Sequence, residues 1–130
     1  MIVIDASAIL ELLLKRPFAG VIAERLFDPD ETLHAPHLLD IEAAQVLRRY
    51  ARMRPEEAGR CRLALDDFCN LQIQRYAHTI LLPRVWQLRN NFTAYDATYV
   101  ALAELLNAPL LTCDRRLASA PGHDAAIELV

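Results

Sequence analysis

The sequence lacks the features of a membrane protein and of a disulfide-stabilised secreted protein. No apolar run approaches the roughly 18–20 residues that a bilayer-spanning helix needs. The first residues, Met-Ile-Val-Ile-Asp, contain no basic segment and reach an acid at position five, so we expect no signal peptide. Cysteine occurs only as Cys61, Cys69 and Cys113, an odd number without a CxxC pair, which disfavours a disulfide or zinc framework. We therefore predict a cytoplasmic protein with no membrane contact.

Lysine is nearly absent, because Lys15 is the only one and the other thirteen of the 14 basic residues are arginines. The net charge of −3 is not typical of a nucleic-acid-binding protein. Six arginines nevertheless fall within one short region: Arg48, Arg49, Arg52, Arg54, Arg60 and Arg62. Arginine suits bidentate contacts with phosphate. A solvated helix face explains any single one of them equally well.

Length and hydrophobic patterning predict one α/β domain spanning residues 1–130. There is no internal repeat, linker or low-complexity segment. The pattern predicts strands at residues 2–4, 32–35, 71–76, 110–112 and 126–130. It predicts helices at residues 8–14, 18–27, 36–53, 55–70, 79–89, 94–106 and 115–119. Ser7, Thr79 and Thr93 are the expected N-caps, and Pro36 is expected to open a helix. Short apolar strands separated by helices favour a mainly parallel sheet with helices on both faces.

The segment from Ala94 to Ala103 is apolar on nearly every helical face and carries one charge, Asp96. Such a helix is expected to be buried, and burying an unpaired carboxylate costs several kcal/mol. Two explanations are open. Thr93 and Asp96 form a capping arrangement at the helix N-terminus, or Asp96 faces a metal ion in a cleft.

Two of the most hydrophobic predicted strands lead directly into aspartates, Asp5 and Asp114. Ligands of open parallel sheets bind outside the carboxyl ends of the strands. Carboxylates gathered there repel one another unless a cation neutralises them. An oxygen-only ligand set favours Mg²⁺ or Mn²⁺ over zinc. Taken singly, Asp5 and Asp114 are equally explained as turn or cap residues, and Glu42 as a solvated helix residue.

Four blocks of the sequence together resemble PIN-domain ribonucleases, and within them the VapC toxins of type II toxin–antitoxin systems. The third block is the most specific, and the resemblance covers essentially the whole chain. The blocks are Val3-Ile-Asp5-Ala-Ser7-Ala, Pro36-His-Leu-Leu-Asp-Ile-Glu42, Leu88-Arg-Asn-Asn-Phe-Thr-Ala-Tyr-Asp96-Ala-Thr-Tyr-Val-Ala-Leu-Ala-Glu104 and Leu111-Thr-Cys-Asp114-Arg-Arg-Leu117.

The resemblance implies a PIN-like three-layer α/β/α sandwich with about five strands in the order 3-2-1-4-5. It implies a metal-dependent endoribonuclease that hydrolyses RNA with a metal-activated water. The expected cofactor is Mg²⁺ or Mn²⁺, and the expected products carry 5′-phosphate and 3′-hydroxyl ends. The family's hydroxyl positions fall on Ser7 and Thr112. Its catalytic and metal-binding acids fall on Asp5, Glu42, Asp96 and Asp114.

The resemblance also implies partners. A VapB-like antitoxin is expected on the apolar helices around residues 9–14 and 21–27, with a basic residue reaching the acidic site. A homodimer is expected, and DNA would be bound only through the antitoxin. Arg89, Arg49 and Arg115 are candidates for contacts with RNA phosphates, which position a substrate without specifying its sequence.

Two other classes of protein fit the sequence less well. A phosphoacceptor receiver domain needs a strand-end aspartate where the sequence predicts the helix around Arg48, and a late lysine that it lacks. A catalytically weak binding module, acting through RNA or antitoxin contacts, is disfavoured by the presence of all four acids. Of the remaining residues, the four histidines are expected in loops or on the surface, because they show no metal-ligand spacing, and Trp86 and Phe92 are expected in the core.

Overall fold

The five strands form one sheet in a computed structural model, which describes all residues from 1 to 130. They are β1 (Ile2–Ile4), β2 (Leu33–Pro36), β3 (Ile73–Tyr76), β4 (Leu110–Thr112) and β5 (Ile127–Leu129). Their order is β3-β2-β1-β4-β5, and all four neighbouring pairs are parallel. The predicted strand order is confirmed. The sheet is entirely parallel where the sequence predicted a mainly parallel one.

Seven helices connect and cover the strands. They are α1 (Ala6–Leu13), α2 (Ala19–Leu26), α3 (Leu38–Met53), α4 (Ala58–Asn70), α5 (Leu82–Gln87), α6 (Ala94–Leu106) and α7 (Arg115–Ser119). Two short 3₁₀ turns, Pro55–Glu57 and His78–Leu81, precede α4 and α5. No helix is both long and apolar enough to cross a membrane.

The central strand and helix α6 form the middle of the core. Every residue of β1 is completely buried, as expected for a parallel strand with a neighbour on each side. Helix α6 packs over β1, β2 and β4 and is covered in turn by α5, while α1 packs with α2, α3 and α4. Seven consecutive residues of α6, Ala97 to Ala103, are buried. The prediction of a buried helix at this place is confirmed.

Two of the three predicted N-caps are wrong. Helix α1 is capped by Asp5, whose carboxylate accepts a hydrogen bond from the Ala8 amide, and Ser7 lies inside the helix. Thr79 makes no capping hydrogen bond and lies in the 3₁₀ turn before α5. Asp5 is the N-cap because its own backbone is extended, as in the preceding strand, and its side chain points at the first turn of the helix.

Pro36, expected to open a helix, is the last residue of β2 and is paired with Tyr76 of β3. A proline lacks the backbone donor that a central strand uses, so it is tolerated where the strand ends. The next residue resumes the ladder, because the His37 amide donates to the Tyr76 carbonyl oxygen. Helix α3 therefore begins two residues later than predicted, at Leu38.

Two side chains have the opposite burial from the one predicted. His34 is buried in β2, where its ring nitrogens contact the Thr32 hydroxyl and the Tyr76 hydroxyl at 2.8 Å each. Trp86 is 68% exposed, whereas Phe92 is buried as predicted. Hydrophobic periodicity does not predict the burial of such single side chains, because their burial depends on which distant parts of the chain pack against them.

Candidate active site

The four predicted acids lie at one edge of the sheet, beyond the carboxyl ends of the strands. Asp5 directly follows β1 and Asp114 follows β4, and these two strands are neighbours. Glu42 lies in the second turn of α3, the helix that follows β2. Asp96 lies in the first turn of α6, which runs back across the sheet before β4. A helix in such a crossover is antiparallel to the strands, so its first turn lies at their carboxyl ends.

Asp5 is held by three hydrogen-bond donors. Its Oδ1 accepts from the Ser7 hydroxyl at 2.7 Å and from the Ala8 amide at 3.0 Å. Its Oδ2 accepts from the Thr112 hydroxyl at 2.5 Å. Burial raises the pKa of Asp5, while these three hydrogen bonds oppose that rise. Asp5 is therefore a fixed carboxylate at the bottom of the site.

The predicted hydroxyl residues, Ser7 and Thr112, connect β1 to β4 below the acids. Besides donating to Asp5, Thr112 Oγ1 accepts from the Asp114 amide at 2.9 Å, and Ser7 Oγ accepts from the Cys113 amide at 2.9 Å. The two hydroxyl oxygens lie 3.2 Å apart. Each hydroxyl has one proton and uses it in the hydrogen bond that it donates to Asp5. The contact between the two hydroxyl oxygens is therefore not a hydrogen bond. Both residues orient Asp5 and the backbone that leads to Asp114.

Glu42 is positioned by a tyrosine of α6. The hydroxyl of Tyr99, whose ring is buried in the core, donates to Glu42 Oε1 at 2.5 Å. Burial raises the pKa of Glu42, and the negative charges of Asp96 and Asp5 raise it further against the opposing effect of this hydrogen bond. Burial and the same hydrogen bond raise the pKa of Tyr99. The tyrosine therefore remains protonated and donates its hydroxyl proton to the hydrogen bond with Glu42.

Asp96 and Asp114 face each other across an arginine. Arg116 Nη2 lies 3.6 Å from Asp96 Oδ2 and 3.5 Å from Asp114 Oδ2. The expected cap of α6 is present, because the Thr93 hydroxyl accepts from the Asp96 amide at 3.2 Å. Asp114 also caps α7, accepting from the Arg116 and Leu117 amides through Oδ1. Asp114 thus caps α7, Asp96 lies in the capped first turn of α6, and both carboxylates lie at the site.

The electrostatics of the site fit a hard divalent cation. The pKa values of Asp5, Glu42 and Asp96 are all raised, with burial as the largest cause and neighbouring carboxylates adding to it. The acids and hydroxyls of the site offer oxygen ligands, which is the donor chemistry of Mg²⁺ and Mn²⁺. The adjacent thiol of Cys113 has a pKa raised by burial to about 11 and stays protonated. No three acidic, histidine or cysteine side chains converge closely enough to form a ready coordination set.

The three arginines proposed for phosphate contacts occupy different places. Arg89 folds its guanidinium over the Trp86 ring at 4.6 Å and donates to the Trp86 carbonyl oxygen at 2.9 Å. Arg49 lines a shallow hollow of 280 Å³ on α3. Arg115 begins α7 beside Asp114 and is exposed. Their contacts with RNA remain predictions.

Two residues of the site were missed from the sequence, Tyr99 and Arg116. Tyr99 lies three residues after Asp96 and so shares its side of α6. Arg116 lies two residues after Asp114, where a short helix turns it back toward the acids. The spacing was visible in both cases, but nothing in it distinguishes these side chains from core and surface residues.

Comparison with known proteins agrees with this architecture. The family model described as the PIN domain matches residues 2–122. Ribonuclease VapC12 of Mycobacterium tuberculosis strain H37Rv is 41% identical over 130 residues, which is 100% of this chain and 99% of the relative. Ribonuclease VapC9 of the same strain is 43% identical over 130 residues, covering 100% and 98%.

Among solved structures, VapBC2 from Rickettsia felis bound to a promoter DNA fragment superposes with a TM-score of 0.69. It is 16% identical and covers 99% of this chain and 98% of the other. PAE2754 from Pyrobaculum aerophilum gives a TM-score of 0.65 at 23% identity, covering 91% and 84%. At these identities the likeness concerns the fold. A parallel α/β/α domain with acids at its carboxyl edge is the PIN-type arrangement. The chain belongs to the PIN-domain family and, within it, to the VapC ribonucleases.

Proposed function

We propose that this protein is an endoribonuclease that acts as the toxin of a type II toxin–antitoxin system, in the cytoplasm. The observation that carries the proposal is the acidic edge itself. Four carboxylates from four different elements lie along this edge, and three of them have raised pKa values through burial and mutual repulsion. Such an arrangement is costly for a fold that does not use it. The full-length relatives named as ribonucleases supply the reaction class.

The proposal includes Mg²⁺ or Mn²⁺ held by Asp5, Glu42, Asp96 and Asp114. When bound, such an ion lowers the pKa of a coordinated water and screens the charge of a phosphodiester. The remaining work belongs to the chain. Ser7 and Thr112 fix the orientation of Asp5, Tyr99 fixes Glu42, and the α6 cap fixes the backbone that carries Asp96. No protein nucleophile is required, since the attacking group is water.

The direct test is RNA cleavage by purified, antitoxin-free protein. We expect cleavage of cellular RNA with Mg²⁺ or Mn²⁺, loss with a chelator, and at least ~100-fold loss for Asp96→Asn, because one ligand charge is removed. Asp67→Asn on α4 is the matched control, since Asp67 is an exposed acid outside the site. Full activity of Asp96→Asn, or no cleavage of any RNA by the wild type, would refute the proposal.

The proposed partner is a VapB-like antitoxin, with DNA bound only through it and the toxin forming a homodimer. Three large apolar side chains on and beside α2 are exposed to solvent: Phe18, Val21 and Phe27. Large apolar side chains exposed on one helix are available to a docking partner. Val21→Asp should therefore weaken co-purification with the antitoxin while leaving RNA cleavage intact, and Glu24→Asp on the same helix is the control. Light scattering of the free toxin tests the dimer.

A second candidate function, a PIN-fold binding module with little catalysis, is favoured by one observation. The acids do not converge into a ready coordination set. Titrating the protein with Mn²⁺ separates the two candidates. Binding that Asp96→Asn abolishes supports the nuclease, whereas RNA or antitoxin binding without any metal binding supports the module.

A further inference from the structure

Arg116 is the one basic side chain that forms ion pairs with the acids of the site. Of the ion pairs in the protein, only its two reach any of Asp5, Glu42, Asp96 or Asp114. The other pairs lie elsewhere, for example between Arg84 and Glu104. Arg115, its neighbour in sequence, forms no ion pair. The contact is therefore specific to one position.

The guanidinium contacts the oxygens that a cation would need. Oδ1 of Asp114 is occupied by two backbone amides of α7, at 2.8 and 3.3 Å, so Oδ2 is the oxygen free to bind a ligand. Arg116 lies on that oxygen and on Oδ2 of Asp96. Among nearby charges, Arg116 is the one that lowers the pKa of Asp96, against the larger effect of burial. A divalent ion shared by the two carboxylates would meet the guanidinium at the same oxygens.

The contact of Arg116 with the two acids is also easily broken. The Arg116 side chain is 78% exposed, while the side chains of Asp96 and Asp114 are 25% and 32% exposed. The guanidinium of Arg116 therefore lies on the solvent side of the two carboxylates. Exposed ion pairs at such distances are weak and screened by salt. Its removal costs the fold little, because the backbone amide of Arg116 makes the cap hydrogen bond.

We propose that Arg116 is an internal counter-cation that competes with the divalent metal for Asp96 and Asp114 and so lowers the metal affinity of the site. The inference rests on the proposed metal-dependent function. In the metal-free protein the guanidinium partly neutralises the two carboxylates. Metal binding requires it to leave them, and an acidic site that is already partly neutralised takes up the ion less tightly. Arg116 is thus a positioning residue that acts through the two acids.

The test compares Mn²⁺ affinities by calorimetry on antitoxin-free protein at low ionic strength. We expect Arg116→Gln to bind Mn²⁺ about 2- to 5-fold more tightly than the wild type, since an exposed ion pair changes an equilibrium by up to about fivefold. Arg116→Lys keeps the charge and should lie close to the wild type. Arg115→Gln removes the same charge one residue away and is the matched control. The advantage of Arg116→Gln should shrink in 0.5 M salt as screening weakens the ion pairs.

Equal affinities for the wild type and Arg116→Gln would overturn the inference. So would an equal gain in Arg115→Gln, because that result assigns the effect to general charge. Both results leave the proposed nuclease standing if the wild type cleaves RNA with metal. If the wild type binds Mn²⁺ but cleaves no RNA, the nuclease fails while the affinity comparison still decides the role of Arg116. A wild type and an Arg116→Gln variant that both bind no Mn²⁺ would reject the competition and the metal site together.

Discussion

At the residue scale, the orientation of Asp5 depends on a hydroxyl contributed from the other end of the chain. Thr112 is fully buried, donates to Asp5 and accepts from the Asp114 amide. We predict that Thr112→Val, which keeps the shape, lowers the free energy of unfolding by about 1–3 kcal/mol by leaving a buried donor and acceptor unpaired. Urea denaturation measures this loss.

Thr98→Val is the matched control for that substitution. Thr98 is also buried, but its hydroxyl donates only to the Ala94 carbonyl oxygen one helical turn earlier. Its loss should cost less than about 0.5 kcal/mol, because that carbonyl oxygen belongs to the helix ladder. If the two variants were equally stable, Thr112 would hold no special place under the site.

Glu42 gives a second prediction at this scale, now about protonation. Its pKa lies above the ordinary 4.5, chiefly through burial, and the Tyr99 hydrogen bond opposes the rise. Tyr99→Phe keeps the ring and removes the donor, so the carboxylate is stabilised less and the pKa of Glu42 should rise further in metal-free protein. Carbon-13 NMR of the side-chain carboxyl measures both values. An unchanged or lower pKa in Tyr99→Phe would contradict the prediction.

The acids of the site were predictable, whereas their supporting residues were not. Asp5 and Asp114 follow apolar strands directly, and parallel strands bring their carboxyl ends to one edge. Arg116 and Tyr99 act through contacts across 20 residues and 57 residues of chain. Such contacts depend on how elements pack, which a local pattern does not encode.

At the element scale, α6 depends on its first turn, where the cap and Asp96 meet. The Thr93 side chain accepts from the Asp96 amide, and its backbone is extended as a cap requires. Thr93→Ala should lower the free energy of unfolding by about 1 kcal/mol. Thr93→Ser keeps the capping hydroxyl and should be nearly as stable as the wild type. Thermal denaturation of the three proteins is the measurement. Equal losses in both variants would assign the effect to the lost methyl group and not to the cap.

Helix and strand positions were predictable where a period or an apolar run repeats, and least so at boundaries. Strand β1 and helix α6 were found as predicted because burial on all sides leaves an unbroken apolar run. Pro36 was misassigned because proline is suited both to a helix start and to a strand end. Tertiary pairing with Tyr76 chose between them.

At the scale of the whole molecule, the acidic site couples the stability of the fold to pH. Asp5, Glu42 and Asp96 have folded-state pKa values above their ordinary 3.8, 4.5 and 3.8. These groups bind protons more tightly when folded, so their contribution to stability is present at acidic pH and is lost as pH rises through the raised values. Glu31 and Glu104, with lowered pKa values, act in the opposite sense and lose their contribution as pH falls.

Metal should therefore stabilise the protein more at pH 7 than at pH 5, because protons compete with it for the raised carboxylates. At a concentration 100 times the dissociation constant, the gain at pH 7 is about 2.7 kcal/mol. Differential scanning fluorimetry with and without Mn²⁺ reads this as a shift in melting temperature. Asp96→Asn should lose most of the shift and Asp67→Asn should keep it. A shift in melting temperature of the same size at both pH values would contradict the prediction, because it would show that the metal does not bind to these acids.

The parallel pairing of β1 with β4 has one consequence for synthesis. Residues 2–4 leave the ribosome well before residues 110–112, which form one of their two neighbouring strands in the sheet. Asp5 gains the hydrogen bond from the Thr112 hydroxyl, and Asp114 gains its position, only after β4 has been translated. Closing so long a loop is also slow for a small domain. A nascent or truncated chain that ends before β4 therefore has no assembled acidic site, and a cell making this protein does not meet the complete site until that strand has been added.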